Sequence, residues 1–453
     1  QSATSTTSTV NLDVFDAYLA RQLQIGDDID GEAEDDQSGY SVSLSADGQI
    51  VAIGAIVNDN GDNSGHVRVY QRSSAGWVQL GNDIDGEAVN DYSGSSVSLS
   101  ADGQIVAIGA LDNDGNGNDS GHVRVYQYSD NAWVQLGNDI DGEALGDRSG
   151  FSVSLSANGQ TVAIGATNNS GVNGYPNLGH VRVYQYSDNA WVQLGSDIDG
   201  EALGDLSGWS VSLSANGQIV AIGAIYNDND NGNFSGHVRV YQYDGSNWAK
   251  LGDDIDGEAE SQSGGSVSLS ADGQTVAVGA KQNSGVNGNL SGHVRVYQYI
   301  DNAWVQLGTD IDGEDAGDRS GSSVSLSADG QTVAIGAIYN DNDNGYSSGH
   351  VRVYKYVGSN WVQLGSDIDG EAPRDNSGWS VSLSADGQVV AIGAQFNDGA
   401  NGTDSGHVRM YRLTNNAPAI GVSYPSAPDA ASDEEEVQVL RLPSQDVDGD
   451  NLV

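Results

Sequence analysis

The chain's seven histidines, its only imidazoles, all open the same phrase. They stand at His66, His122, His180, His237, His293, His350 and His407, spaced 56 to 58 residues apart, in HVRVY or once HVRMY. Two residues on from each comes an arginine: Arg68, Arg124, Arg182, Arg239, Arg295, Arg352 and Arg409. Asp-Ile-Asp-Gly-Glu also occurs seven times, starting at Asp28, Asp83, Asp139, Asp197, Asp254, Asp310 and Asp367. A general base works from one asymmetric constellation, and seven equal copies offer none. With no cysteine there is no thiolate nucleophile either. The His and Arg share one strand face, and these arginines are seven of only 17 basic residues. A buried cation needs partners, so the sequence predicts structural arginines bonded to the loop acids. The same carboxylates are hard oxygen ligands that suit calcium, while Asp-Gly is equally ordinary turn chemistry.

Calcium is the one cofactor the residues suggest elsewhere. Residues 227–232 and 340–345 read NDNDNG, and Asp228, Asp230, Asp341 and Asp343 alternate there as in the first half of an EF-hand loop. The distal Glu of that motif is missing from both, and solvated turns account for the same letters.

A period near 57 residues implies one supersecondary unit repeated around or along an axis. Within each unit Val97 and Leu99 alternate with serines, the period-two mark of a strand. Ala101-Asp102-Gly103 is a tight hairpin turn, followed by a strand over 105–110, a polar loop, the His122 strand and a fourth strand at WVQL. Four antiparallel strands repeated seven times predict an all-β fold, a seven-bladed β-propeller, with bulky Val/Leu/Ile faces packing on small Ser/Ala/Gly faces. The last repeat has no WVQLG strand, but residues 22–26 (QLQIG) supply one, so the N-terminus is expected to close the ring and remove a bare edge. The propeller is thus placed at 22–416. Residues 1–21 read as a polar leader that includes a short helical turn over 11–21, and 417–453 as a linker with the start of a further β module.

In that geometry the loops joining strands two and three share a face with the DIDGE loops. On that face each first strand begins with one residue free of the repeat: Tyr40, Ser95, Phe151, Trp209, Gly265, Ser322 and Trp379. Tyr40, Phe151, Trp209 and Trp379 either form a ligand platform or plug the channel.

Composition narrows the partners. Acids outnumber Lys plus Arg by 63 to 17, a formal charge of −46. Such a surface repels nucleic acid and anionic membrane. No apolar run is long enough to span a bilayer, so no membrane insertion is expected. The lack of cysteine and the start at Gln1 fit an exported, mature bacterial protein.

At SGSSVSLSADGQIVAIGA, residues 93–110, the chain resembles the FG-GAP repeats of integrin α-subunit propellers and their bacterial relatives. The resemblance runs from about 22 to 412 and implies the sevenfold ring. Serine stands where that family has the aromatic of Phe-Gly (Ser38, Ser93, Ser149), and the Pro of Gly-Ala-Pro is absent. The family's calcium loop would fall where this chain has only Ala-Asp-Gly, so those metal sites are not carried over. From Ala417 the tail resembles the opening of a cadherin- or immunoglobulin-like module of bacterial adhesins. That resemblance implies calcium at Asp446, Asp448 and Asp450.

The function expected is non-enzymatic: a secreted or cell-surface adhesin propeller that binds a glycan or surface protein through its loop face. Other domains of a larger chain are expected partners. The alternatives are a structural or assembly subunit of a surface appendage that contacts its own copies, and a polysaccharide-active propeller enzyme. The last would need a broken-symmetry acid pair near the axis, and the sequence offers none.

Overall fold

The computed structural model describes residues 20–57, 63–170 and 177–415. Residues 1–19 of the leader and residues 416–453, with Asp446, Asp448 and Asp450, lie outside them. Among the described residues there are seven antiparallel sheets and no helix, and hence no helix long and apolar enough to cross a membrane.

Blade two shows how the letters become strands. Ser93–Leu99 is innermost, followed outward by Ile105–Ala110, His122–Ser129 and Ala132–Gln135. The outer strand comes in two pieces. Ala132–Gln135 pairs with the end of the third strand, and Ile140–Asp141, the Ile-Asp of the next DIDGE phrase, pairs with His122 and Val123 at its start. Gly103 closes the inner hairpin at φ +68, and an added Cβ there would lie 2.7 Å from Ile50 of blade one, so turn and packing both require glycine.

The core lies between blades. Val42, Leu44, Val51 and Ile53 of blade one pack on Val389, Ala391, Val408 and Met410 of blade seven. Its opposite face, with Ile50, Ala52, Val67 and Val69, receives Val97, Leu99, Val106 and Ile108 of blade two. Side chains such as Ile53 and Val67 are essentially inaccessible, and each such burial contributes about 1.5–3 kcal/mol.

Three closed circuits of hydrogen bonds hold the inner strands around the axis. Ser41 Oγ donates to the Gly94 carbonyl at 2.7 Å, and the relation repeats through Ser96, Ser152, Ser210, Ser266 and Ser323 until Ser380 donates to Gly39. A second circuit runs from each leucine amide to a serine hydroxyl in the preceding blade, as from Leu99 to Ser43 and from Leu44 to Ser382. The third links the turn alanines, from Ala46 to Ala101 and onward until Ala385 donates back to Ala46. Each circuit returns to its start after seven steps.

Closure uses the N-terminal segment. Ala20–Gln24 pairs with the last strand, Ala20 opposite Asn415 and Gln24 opposite Tyr411. The sequence placed this strand at 22–26 and put 20 and 21 in a leader with helical turns. In the structure the strand begins two residues earlier, and Gly26, at φ +77, turns the chain away from it. Gln22 takes the place that tryptophan holds in the other six outer strands. Those tryptophans each donate Nε1–H to a carbonyl of the preceding blade, as Trp133 does to Leu80 at 2.7 Å. Gln22 Nε2 reaches the Leu364 and Ser366 carbonyls, both at 2.6 Å.

Candidate functional site: the loop face and its axial mouth

Two sets of loops meet on one face, and their backbone is unusual in a regular way. Seven non-glycine residues just before the first strands are left-handed: Gln37, Tyr92, Arg148, Leu206, Gln262, Arg319 and Asn376, all with φ between 52° and 57°. Each amide donates to the carbonyl of a second left-handed residue in the preceding blade's loop, as Arg148 does to Asp119 and Gln262 to Phe234. A tight turn then brings in the residue that varies from blade to blade. Phe151 donates its amide to the Arg148 carbonyl, and Trp209 to Leu206.

In five of the seven blades the turn is also a bulge. In blade three Ser149 lies opposite Ala166 and Ser152 opposite Gly165, so Gly150 and Phe151 are extra residues on the inner strand. The preceding glycine is obligatory: Gly94 has φ +88, and a Cβ there would lie 2.7 Å from the His66 carbonyl. Bulges re-aim a side chain out of the ladder. That is why position 151 and its bulged equivalents escape the packing that makes the rest of the repeat uniform.

The four aromatics come together in two pairs. Tyr40 and Trp379, from blades one and seven, have ring centroids 5.6 Å apart; Phe151 and Trp209, from blades three and four, are 4.7 Å apart. All four are half-buried. Ser95 separates the pairs on one side, and Gly265 and Ser322 on the other. Lys281 Nζ lies 5.7 Å from the Trp209 ring centroid.

Beneath the face runs the repeated ionic network. Arg124 donates to the Asp85 carbonyl at 2.7 Å, and five other repeat arginines do the same at 2.6–3.0 Å. Their second contact is the DIDGE glutamate, Glu87 for Arg124, at 3.4–3.7 Å. The expected loop acids are thus present as ion-pair partners, but for six of the seven the shorter hydrogen bond goes to a backbone carbonyl, because the guanidinium reaches across to the preceding blade's edge strand. Arg295 departs from them, pairing with Asp310 at 2.8 Å and Glu258 at 2.6 Å. The histidines are buried beside these acids; His122 Nδ1 lies 3.9 Å from Glu87 Oε2. Burial, then the adjacent arginine, depresses His122 to about 4 against the pull of Asp139, and His66, His180, His237, His293 and His350 likewise fall to about 4. His407 falls to about 3, burial again leading.

These groups gather ligand-type atoms, for example Glu87, His122 and Asp139. The charge at each cluster is already countered by a guanidinium, which makes a poor cation site. The EF-hand-like loops are also internally satisfied. Asp228 Oδ1 accepts the Phe234 amide and Asp341 Oδ1 the Ser347 amide, while Asp230 and Asp343 point into solvent-exposed turns.

Residues 367–411 match the FG-GAP repeat model. The matched stretch runs from the DIDGE phrase of Asp367 through three strands of blade seven. The other six blades carry the same phrases, so the ring is a seven-bladed propeller containing an FG-GAP repeat. Comparison of the chain with curated proteins finds no match. The serine that replaces the motif's aromatic has a physical reason here. Ser93 and Ser149 are fully buried where neighbouring backbones nearly touch, leaving no volume for a ring.

Sequence reasoning passed over the left-handed position and Lys281. Both were detectable by lining up the seven repeats, since Gln, Tyr, Arg, Leu and Asn alternate at the first. At the second Lys281 stands among Ile56, Leu111, Thr167, Ile225, Ile338 and Gln395.

Proposed function

We propose that this propeller is a non-enzymatic binding module, secreted or displayed on a bacterial surface, that takes a glycan through the axial mouth of its loop face. One observation carries the reading: a position at which the repeats differ recurs at the start of every inner strand, and four of its seven residues are aromatic, paired as Tyr40–Trp379 and Phe151–Trp209. Packing against identical neighbours asks for identical residues, and a position that ranges from glycine to tryptophan is not held by it. Aromatic rings stack on the apolar face of a pyranose, and the surrounding Ser and Asn side chains supply hydrogen bonds for hydroxyls. A glycan-array comparison of the native protein with the double variant Trp209→Ala/Trp379→Ala tests it. Loss of at least about tenfold in affinity is expected, since each 1.4 kcal/mol of lost contact is a factor of ten. Unchanged binding with the fold intact would assign the rings to channel filling.

A further inference from the structure

Blade five breaks the repeat several times within a short stretch. The loop from Asp254 to Ser263 is one residue shorter than its counterpart from Asp197 to Ser207, and Ser261 stands where blade four has Asp205. In blade four Asp205 accepts from the buried amide of Asn227 at 3.1 Å. Without that carboxylate, Asn283 turns to Glu258 at 2.7 Å, and Glu258 draws in Arg295. The same blade carries Gly265 at the position equivalent to Trp209, and Lys281 at the mouth.

Gly265 is not demanded by its surroundings. Its φ lies outside the left-handed range, and an added Cβ would meet nothing closer than the Gln262 carbonyl at 3.4 Å. Its effect is therefore an opening between Trp209 and Ser322. Lys281 borders that opening, its ammonium over Trp209. Arg319 of blade six stacks on Tyr339 at 4.8 Å. It stands close enough, after burial, to push the Lys281 ammonium below its usual range. Among the described residues neither cationic head has a hydrogen bond or ion pair. In blade three, by contrast, Arg148 at the position of Arg319 is held by Asp112 at 3.1 Å. Two adjacent cations without an acid are conspicuous in a chain with 63 acidic residues.

We propose that the opening at Gly265, flanked by Lys281, Arg319, Trp209 and Ser322, is the subsite for the carboxylate of an acidic sugar. The inference rests on the loop-face reading above and names its ligand class. Charge-assisted bonds from an ammonium and a guanidinium select a carboxylate. The negative field of the rest of the face would repel an anion placed anywhere else on it. A sugar fits better than a peptide, because the axial edge of each inner strand is already bonded by serine hydroxyls of the neighbouring blades, as Leu99 N–H is by Ser43 and the Gly94 carbonyl by Ser41, which leaves little for strand addition.

The test is titration calorimetry of the full chain with a linear tetramer of hexuronic acid, the matching neutral hexose tetramer and an acidic hexapeptide. The uronate is expected to bind at least about tenfold tighter than the neutral tetramer. Lys281→Met and Gly265→Trp should each bring the two sugars within about twofold of one another, and Lys281→Arg should keep the preference. Gly265→Trp installs the residue that blades four and seven carry, so it answers the question even if Lys281→Met does not fold. Equal binding of the two sugars by the native chain, an undiminished preference in Gly265→Trp, or binding of the peptide alone would overturn the inference. If Trp379→Ala removes sugar binding while Lys281→Met leaves the preference intact, the loop-face reading stands and the carboxylate subsite falls. If neither variant has an effect, both fall.

Discussion

His122 is 1% exposed and faces Glu87, Asp139, Asp91 and the guanidinium of Arg124. Burial holds it neutral, with a value near 4 against 6.5 for a free imidazole. Between those values the unfolded chain binds the proton and the folded chain does not. Stability is therefore full above about pH 6.5 and is lost as pH falls toward 4, at about 1.4 kcal/mol per pH unit for each such histidine. Asp85, Asp141 and Asp199 work the other way, since burial raises them and folding then favours their protonation. Their window opens upward from 3.8 and the histidines' downward from 6.5, so the histidines dominate the upper part of the range. A melting temperature clearly lower at pH 5.5 than at pH 7.5 is the expected outcome; a flat or rising profile would mean the imidazoles are not held neutral. At this scale the sequence showed which residues matter but not what they touch. The pairing of Arg with a carboxylate follows from charge. The preference of six arginines for a carbonyl on the neighbouring blade follows from an edge strand that no letter encodes.

Strand alternation and the Ala-Asp-Gly turn were legible because they are local, periodic and repeated. The two-residue bulge was not. Ser-Gly-X inside a strand pattern reads as one more alternating pair, and only the clash of a Cβ with the His carbonyl of the preceding blade shows why the glycine is there. The closing strand was found by counting phrases, and it pairs in the register of the phrase it replaces; only its bounds differ, Ala20–Gln24 instead of 22–26. Gln22 gives this element its own test. Its side-chain bonds to Leu364 and Ser366 tie the N-terminal strand to blade six, whereas the side chain of Gln24 is exposed and bonds Asp28 in its own segment. Gln22→Ala should cost roughly 1–3 kcal/mol in chemical denaturation, and Gln24→Ala within about 0.5 kcal/mol. Equal effects would show that blade seven is held shut by its ladder alone.

At the level of the whole molecule, sevenfold repetition makes a ring, and a ring has one axis where its irregularities can meet. The three hydrogen-bonded circuits explain why the inner strands tolerate so little variation, and the bulges explain where variation is allowed. Seven nearly equal blades thus support a mouth that is not sevenfold: two aromatic pairs, a serine between them, and an opening edged by Lys281 and Arg319. The sequence yielded the aromatic positions but not their pairing, which depends on blade neighbours, nor the cationic edge, which shows only where one repeat departs from six. The most direct test of this account is a crystal structure of the full chain with the hexuronate tetramer. The account predicts the sugar on the axis at the loop face, in contact with the Tyr40–Trp379 and Phe151–Trp209 pairs, with its carboxylate against Lys281. Sugar bound at the outer rim of a blade, or at the opposite, short-turn face, would contradict it.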